Sequence, residues 1–450
     1  MRILLIAMSG IRAFSEELNA AGLTMPGVVE RSKVIASMPS LGLLTLAGLT
    51  PPDCEVEYHE IADLRKQPDL PHGFDLVAIS SFSAQIHDAY AVADRYRARG
   101  TRVVLGGLHV TKLPDEAAQH ADAIVIGEAE PLWPRLIDDA RRGQLKPRYQ
   151  ARPGEHFHLV DAPLPRFDLL DVDRYNRIPL QTSRGCPHQC DFCASSILLT
   201  PRYSVKPVER VLAELRAIKE IWAQPFIEFA DDNSFAQKKH YKELLRALIP
   251  ERIKWFTEAD ISIADDPELL DLMREAGCRQ VLIGLESPAT RGLDGIELRR
   301  NWKLKMHDRY EAAVHAIQSR GVTVNGCFIL GLDGEGEEVF DAIYDFADRT
   351  ALFEVQITVL TPFPGTPLYD RLLAAGRILH PGDWRRCTLF DVNYRPTNMP
   401  PERLQSGIVE LAKRLYDPEF VDHRRRRFFE NLQRCGTPRG PGLPEFVARN

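Results

Sequence analysis

Apolar residues in the first 145 positions gather into short runs, and the stretches between them are polar or helically spaced. Strand-like runs read at 2–7, 55–59, 76–80, 102–105 and 123–126, and 84–99 repeats apolar residues at helical spacing. Short apolar strands alternating with helices predict a doubly wound, Rossmann-like parallel sheet, whose strands are covered on both faces. Ligands on such sheets bind at the carboxyl ends of the strands. Those ends carry Ser80-Ser81-Phe82, Gly106-Gly107-Leu108-His109 and Gly127-Glu128-Ala129-Glu130. Glycines there let a backbone approach a bulky ligand.

Residues 146–180 lose this rhythm and contain Pro147, Pro153, Pro163, Pro165 and Pro179, as a linker does. Alternation returns over 181–380. Helices are expected at 207–221, 239–248, 267–276, 307–320 and 337–349, and strands at 226–229, 255–258, 280–283, 323–329 and 354–358. With an extended segment at 178–182, six repeats predict a partial (β/α)6 barrel with its site on the loops at the strand carboxyl ends. Residues 381–450 turn polar and aromatic, with one helix at 401–415, and are expected to form a small helical cap over the open side of the barrel.

The first barrel loop holds the most informative spacing in the chain: Cys186, Cys190 and Cys193, separated by three and then two residues. Three thiolates on one loop bind three irons of a cubane cluster and leave the fourth iron open to a substrate. Phe192 places an aromatic face beside that iron. Zinc is the alternative, because Cys186, His188, Cys190 and Cys193 make a Cys3His set. No second ligand pair follows, and Cys54, Cys278, Cys327, Cys387 and Cys435 stand singly, as small buried residues do.

This loop resembles that of the radical S-adenosylmethionine (radical SAM) enzymes. The resemblance implies a 4Fe-4S cluster at the three cysteines and SAM on the open iron. By the same resemblance Glu286 and Ser287 match the ribose and methionine positions, and Phe328, Ile329 and Gly331 belong to the backbone edge that recognises adenine. The amino-terminal third resembles the cobalamin-binding domain that precedes many radical SAM cores. It does so through 39–44, Gly106-Gly107-Leu108-His109 and Gly127-Glu128-Ala129-Glu130, which makes Ser80, Gly106, Gly107, His109 and Gly127 cofactor-binding candidates. The Asp-x-His-x-x-Gly motif that supplies cobalt with a histidine in other cobalamin proteins is absent.

The implied chemistry is reductive cleavage of SAM to a 5′-deoxyadenosyl radical, which takes hydrogen from a small-molecule substrate of the secondary-metabolite kind. Cobalamin-dependent C-methylation is the favoured outcome. Radical dehydration of a diol, such as an aminoglycoside sugar, and an iron–sulfur or cobalamin sensor are the alternatives. Asp231, Asp232, Glu258 and Tyr203 are the candidates for substrate contact, with helix capping, ion pairing or core packing as their structural roles.

Composition adds limits. The chain has 450 residues, 44% hydrophobic and 27% charged, with a net charge of −6, which disfavours nucleic acid. The one basic run, Arg424 to Arg427, reads as a solvated helix face or a docking site. The longest apolar stretch, Leu41–Leu49, is too short to span a membrane. No signal peptide is evident and eight cysteines lack a paired framework, so a reducing cytoplasm is expected. A flavodoxin- or ferredoxin-type one-electron reductant is the implied partner.

Overall fold

The computed structural model describes residues 1–10, 13–14, 18, 38–152, 154–195 and 202–443, and is built on two six-stranded parallel sheets. The first contains β1 (Arg2–Met8), β2 (Glu55–Ile61), β3 (Leu76–Ser81), β4 (Arg102–Gly106), β5 (Ala123–Ile126) and β6 (Arg148–Gln150), in the order β2-β1-β3-β4-β5-β6. The winding direction reverses between β1 and β3, and a crevice opens there at the strand carboxyl ends. β6 takes residues 148–150 out of the expected linker and extends the sheet past residue 145. Only Tyr149 of its three residues is buried, too short a stretch for periodicity to reveal. Helix Leu41–Leu49, capped by Ser40, is apolar on all sides because two cores cover it: Leu43 and Leu46 face the first sheet, and Leu44 joins the barrel core.

The second sheet contains β7 (Ile178–Leu180), followed by a two-residue ladder of β8 (Ser183–Arg184) and β9 (Ser204–Val205). It continues with β10 (Phe226–Phe229), β11 (Lys254–Ala259), β12 (Cys278–Glu286), β13 (Thr323–Leu330) and β14 (Glu354–Val359). Its six strands, β7 and β10 to β14, are paired in sequence order with β7 and β14 as the two edges, which is the expected open barrel, while β8 and β9 pair only with each other. Helices Val208–Ile221, Lys238–Leu248, Pro267–Glu275, Tyr310–Ser319 and Glu338–Arg349 cover its outside. Strand side chains that face those helices, such as Ile227, Trp255, Val281, Ile283, Val324 and Val355, are fully buried. Their alternates Phe256, Glu258, Leu282, Gly284, Cys327 and Gln356 face inward and stay accessible to water. The barrel interior is therefore wet and partly polar.

Helix Pro401–Leu415 packs along β14 and helix Glu338–Arg349. The helix expected around the arginine run spans Pro418–Arg434; Asp417 caps it by accepting from the Glu419 and Phe420 amides. It carries the arginine run, of which Arg426 is exposed while the other three arginines turn onto the protein. Arg424 is completely buried and donates to the Leu352 and Leu415 carbonyls at 2.5 and 3.0 Å. Arg425 pairs with Glu354, and Arg427 donates to Asp348 at 2.9 Å. Phe428, Phe429 and Leu432 close on Phe353. The run grips the amino end of β14. Among the described residues no helix is long and apolar enough to cross a membrane.

Candidate active site

Loops at the carboxyl ends of both sheets meet each other. Arg184, two residues before Cys186, donates to Glu128 at 2.9 Å, to Glu130 at 2.6 Å and to Gln181 at 3.1 Å. All three charged side chains are at most 17% exposed. The Lys112 side chain lies against Gly365, and Trp384 joins the core of the first sheet. A ligand on the first sheet and a cofactor on the barrel would thus share one crevice.

On the first sheet Ser80, Gly106, Gly107 and Gly127 form the floor. Gly107 has φ 109°, and a Cβ there would lie 3.5 Å from Ser80 Oγ. Gly127, at φ 85°, has open space where a side chain would be. His109 is not part of this floor. It is 1% exposed, with Nδ1 3.1 Å from Ser83 Oγ, Nε2 3.2 Å from Glu116 and its edge against Trp384. Burial lowers its pKa against the opposing pull of Glu116. It is a packing histidine that ties the first sheet to the carboxyl-terminal segment.

Cys186, Cys190 and Cys193 lie close enough for each thiolate to disfavour its neighbours. Burial pushes the Cys186 thiol up to about 11, opposed by hydrogen bonds from the His188 backbone and Asn233. Burial raises Cys190 further. Ligand thiols must lose their protons, and the positive charge of iron supplies that drive. Among the described residues no three His, Cys, Asp or Glu side chains close around a single ion. His188 is engaged elsewhere, 3.1 Å from Asp260 and stacked on Trp302 at 4.2 Å. Those two contacts take from the Cys3His zinc reading its histidine. Phe192 is half-buried against the barrel core.

The acids after β10 and β11 have three different roles. Asp231 is buried and accepts from the Thr182 and Ser183 amides at 2.8 and 2.9 Å, from Ser234 at 2.8 Å, from Tyr241 at 3.0 Å and from the Thr182 hydroxyl. With all its lone pairs occupied it anchors the end of β7 and is neither a helix cap nor a substrate contact. Asp232 accepts from the Gly185 amide at 2.8 Å and from Ser195, bracing both ends of the cysteine loop. Glu258 differs from both. It projects into the barrel and is accessible to water. Burial, followed by the charges of Glu228, Asp232, Asp231 and Glu286, pushes it up to about 8. Tyr203 leans on the barrel core beside Asp231, with its buried hydroxyl close to Ser183 and Tyr241. Its place is in the packing, not in the cavity.

Asn233 and Asp260 stand in the polar groups that end β10 and β11, beside Asp232 and Glu258, but the sequence assigns them no role. Asn233 donates to Cys186 Sγ at 3.6 Å and to Asp260 at 3.0 Å, and Asp260 N donates back to Asn233 at 3.1 Å. Burial would raise Asp260, but hydrogen bonds from His188, Asn233 and the Ser262 amide hold it far below the usual range.

β12 carries a bulge between Gly284 and Glu286, where two of its residues oppose one of β13. Glu286 consequently has φ 63°, a left-handed conformation that costs a non-glycine residue about 1–3 kcal/mol. Its carboxylate is 2.8 Å from Lys303, which also donates to the Gly284 carbonyl at 2.6 Å. Burial opposes the charge on Lys303, and the Glu286 and Cys190 side chains outweigh it. Lys303, which nothing in its local sequence marks, is thus a second charged group beside the cysteine loop. Ser287 is fully buried and donates to Glu335 at 2.6 Å. Glu335, pushed up to about 7 by burial, also accepts from the Gly331 and Leu332 amides.

The Gly331 carbonyl accepts from Tyr394 at 2.5 Å, and its amide donates to Glu335 at 3.0 Å. The Phe328 ring is fully buried against Phe346, on the outside of the barrel. Ile329 faces inward.

Three family models match the chain: the radical SAM superfamily over residues 180–347, the B12 binding domain over 37–137, and a domain of unknown function over 366–443. The bacteriochlorophyllide d C-12(1)-methyltransferase of Chlorobaculum tepidum is 30% identical over 388 residues, covering 84% of this chain and 83% of that protein. An uncharacterized methyltransferase of Synechocystis sp. is 31% identical over 414 residues, covering 89% and 75%. The radical SAM methyltransferase TsrM from Kitasatospora setae, solved with cobalamin and a [4Fe-4S] cluster, superposes with a TM-score of 0.64 at 16% identity, covering 94% and 90%.

The chain belongs to the radical SAM enzymes that carry an amino-terminal B12-binding domain. It is an enzyme, which removes the sensor reading, and its cofactors are a 4Fe-4S cluster, SAM and cobalamin.

Proposed function

We propose that this enzyme is a cobalamin-dependent C-methyltransferase acting on a small molecule that enters the barrel cavity. The observation that carries this reading is the Arg184 clamp, which holds the glycine floor of the first sheet against the cysteine loop of the barrel. A methyl carrier on that floor would stand over the same crevice as SAM and substrate. When bound, the cluster and cobalamin supply the electron that cleaves SAM and the methyl group that is transferred.

The protein's part is to place and shield. Cys186, Cys190 and Cys193 hold the cluster, and Asp232 and Asn233 fix the loop that presents them. Glu286 takes the ribose hydroxyls, a role suited to a carboxylate that accepts from two donors. Lys303, freed from that carboxylate, neutralises the carboxylate of SAM. Ser80, Gly106, Gly107 and Gly127 support the corrin. Glu258, protonated at neutral pH, donates a hydrogen bond to a polar group of the substrate. Methyl transfer is favoured over diol dehydration because the B12-binding sheet is complete and the similar relatives are methyltransferases.

The test is anaerobic: reconstitute the cluster, add hydroxocobalamin, remove the excess by gel filtration and record the visible spectrum. Cobalamin retained near one per chain supports the reading. A protein that retains none, but still forms 5′-deoxyadenosine, overturns it in favour of a cobalamin-independent reaction.

A further inference from the structure

Residues 294–300, after β12, run beside the cysteine loop and contribute no side chain to the site described above. Glu297 forms an antiparallel bridge with Cys190 and accepts from the Gln189 amide at 3.2 Å. The Leu298 amide donates to the Gln189 carbonyl, and the Asp191 amide to the Ile296 carbonyl, both at 2.8 Å. Further on, the Trp302 ring stacks on His188. The segment is therefore fastened to the loop on both sides of Cys190.

The buried Glu297 carboxylate shapes what lies between these fastenings. It accepts from the amides of Arg299, Arg300 and Trp302 at 3.2, 2.7 and 3.2 Å, and the resulting turn pushes side chains outward. Leu298 is 52% exposed. Arg299, Arg300 and Lys305 are exposed and form no ion pair with any described residue. In a chain of net charge −6 the segment, followed to Asp308, thus carries three exposed cations without a counter-charge near an exposed leucine, with Asp294 and Asp308 as its exposed acids. It lies one strand spacing, about 5 Å, from the backbone of a cluster ligand.

We infer that Leu298, Arg299, Arg300 and Lys305 form the docking surface for an acidic one-electron carrier that reduces the cluster. The inference rests on the radical SAM reading of the cysteine loop. The carrier loses one electron and the cluster gains it, with no proton or atom exchanged. Electron-transfer encounters use small interfaces, and complementary charge governs their rate more than their strength. The carrier's negative surface supplies the counter-charge that these three cations lack, and the exposed leucine seats the contact.

The experiment compares the parent with an Arg299→Glu/Arg300→Glu variant, which keeps the backbone amides that Glu297 needs. 5′-Deoxyadenosine formation is measured with dithionite and with flavodoxin hydroquinone, at low and high salt. The Kd of oxidised flavodoxin for each protein is measured by titration. The expected result is a dithionite rate within about twofold of the parent, with a flavodoxin Kd raised about tenfold and a flavodoxin-driven rate lowered to match at low salt. A flavodoxin Kd unchanged within about twofold overturns the inference, whatever the rates. A parent that cleaves no SAM with dithionite overturns the radical SAM reading itself, so the two failures are distinguishable.

Discussion

Arg184 Nη2 stands 2.6 Å from Glu130 Oε1, while its Nη1 reaches Glu128 at 2.9 Å, across the boundary between the two sheets. The pairing joins the loop after β5 to the residue that leads into the cysteine loop, and so ties the two proposed cofactor sites together at their near edges. Arg184→Met would leave two largely buried carboxylates without their cation, a loss of about 3–5 kcal/mol. Denaturant unfolding of the variant and of a triple Arg184→Met/Glu128→Gln/Glu130→Gln variant should show recovery in the second. Both should still cleave SAM, with methylated product falling about tenfold relative to 5′-deoxyadenosine, because misplacement by about 1 Å suffices for a larger loss. Product and 5′-deoxyadenosine falling together would show that the clamp does not set the distance.

The cysteine loop gives the most direct prediction. Cys186→Ala, Cys190→Ala and Cys193→Ala should each lose the cluster, seen as iron content near zero and loss of visible absorbance after reconstitution. His188→Ala should retain iron, because its ring serves Asp260 and Trp302. Loss of metal in His188→Ala would restore the Cys3His reading.

Glu286 and Lys303 form a pair that SAM would have to separate. Glu286→Gln should raise the Kd for SAM about tenfold or more, as expected for losing a hydrogen bond to a charged group. Iron content should not change. Calorimetric titration of the reconstituted protein checks this, and unchanged affinity would remove Glu286 from the SAM site.

The order of elements was legible because burial imposes it. Strands such as Phe226–Phe229 and Thr323–Leu330 are buried on their helix-facing side, and the apolar runs record that. The cysteine spacing was legible because one loop carries it whole. Roles that depend on distant partners were not. Asp231 reads as an active-site acid until Thr182 and Tyr241, 49 and 10 residues away, are seen to occupy it. Arg184 and Glu130 are 54 residues apart, each inside a motif that marks its own loop but does not name the other as its partner. Arg424 contradicts the rule that a basic run is solvated, because carbonyls at the end of one helix and the start of β14 converge on it.

Asp231 and Glu258 should respond to substitution in opposite ways. Removing the Asp231 carboxylate strands the buried Thr182 and Ser183 amides that follow β7, at about 1–3 kcal/mol for each group left unsatisfied. Asp231→Ala should therefore be insoluble or show a sharply lowered unfolding midpoint. Glu258→Gln should fold normally and form 5′-deoxyadenosine while losing methylated product. A stable Asp231→Ala protein with selectively lost product would return Asp231 to the catalytic candidates.

The pH dependence of stability gives a separate test of Glu258. In the unfolded chain this carboxyl ionises near 4.5, whereas in the folded protein it holds its proton up to about 8, through burial and then the charges of Glu228, Asp232, Asp231 and Glu286. Between those values the folded state binds more protons than the unfolded state. Raising the pH through the window therefore disfavours folding, and above about 8 the full cost is present. Glu258→Gln cannot ionise and escapes this term. The Tm of the parent relative to Glu258→Gln should be highest near pH 5, fall steadily towards pH 8 and level off beyond it, in thermal unfolding followed at several pH values. A Tm difference that stays constant from pH 5 to 8 would mean that Glu258 is already ionised at pH 5 in the folded protein. It could not then be the hydrogen-bond donor assigned to it in the cavity.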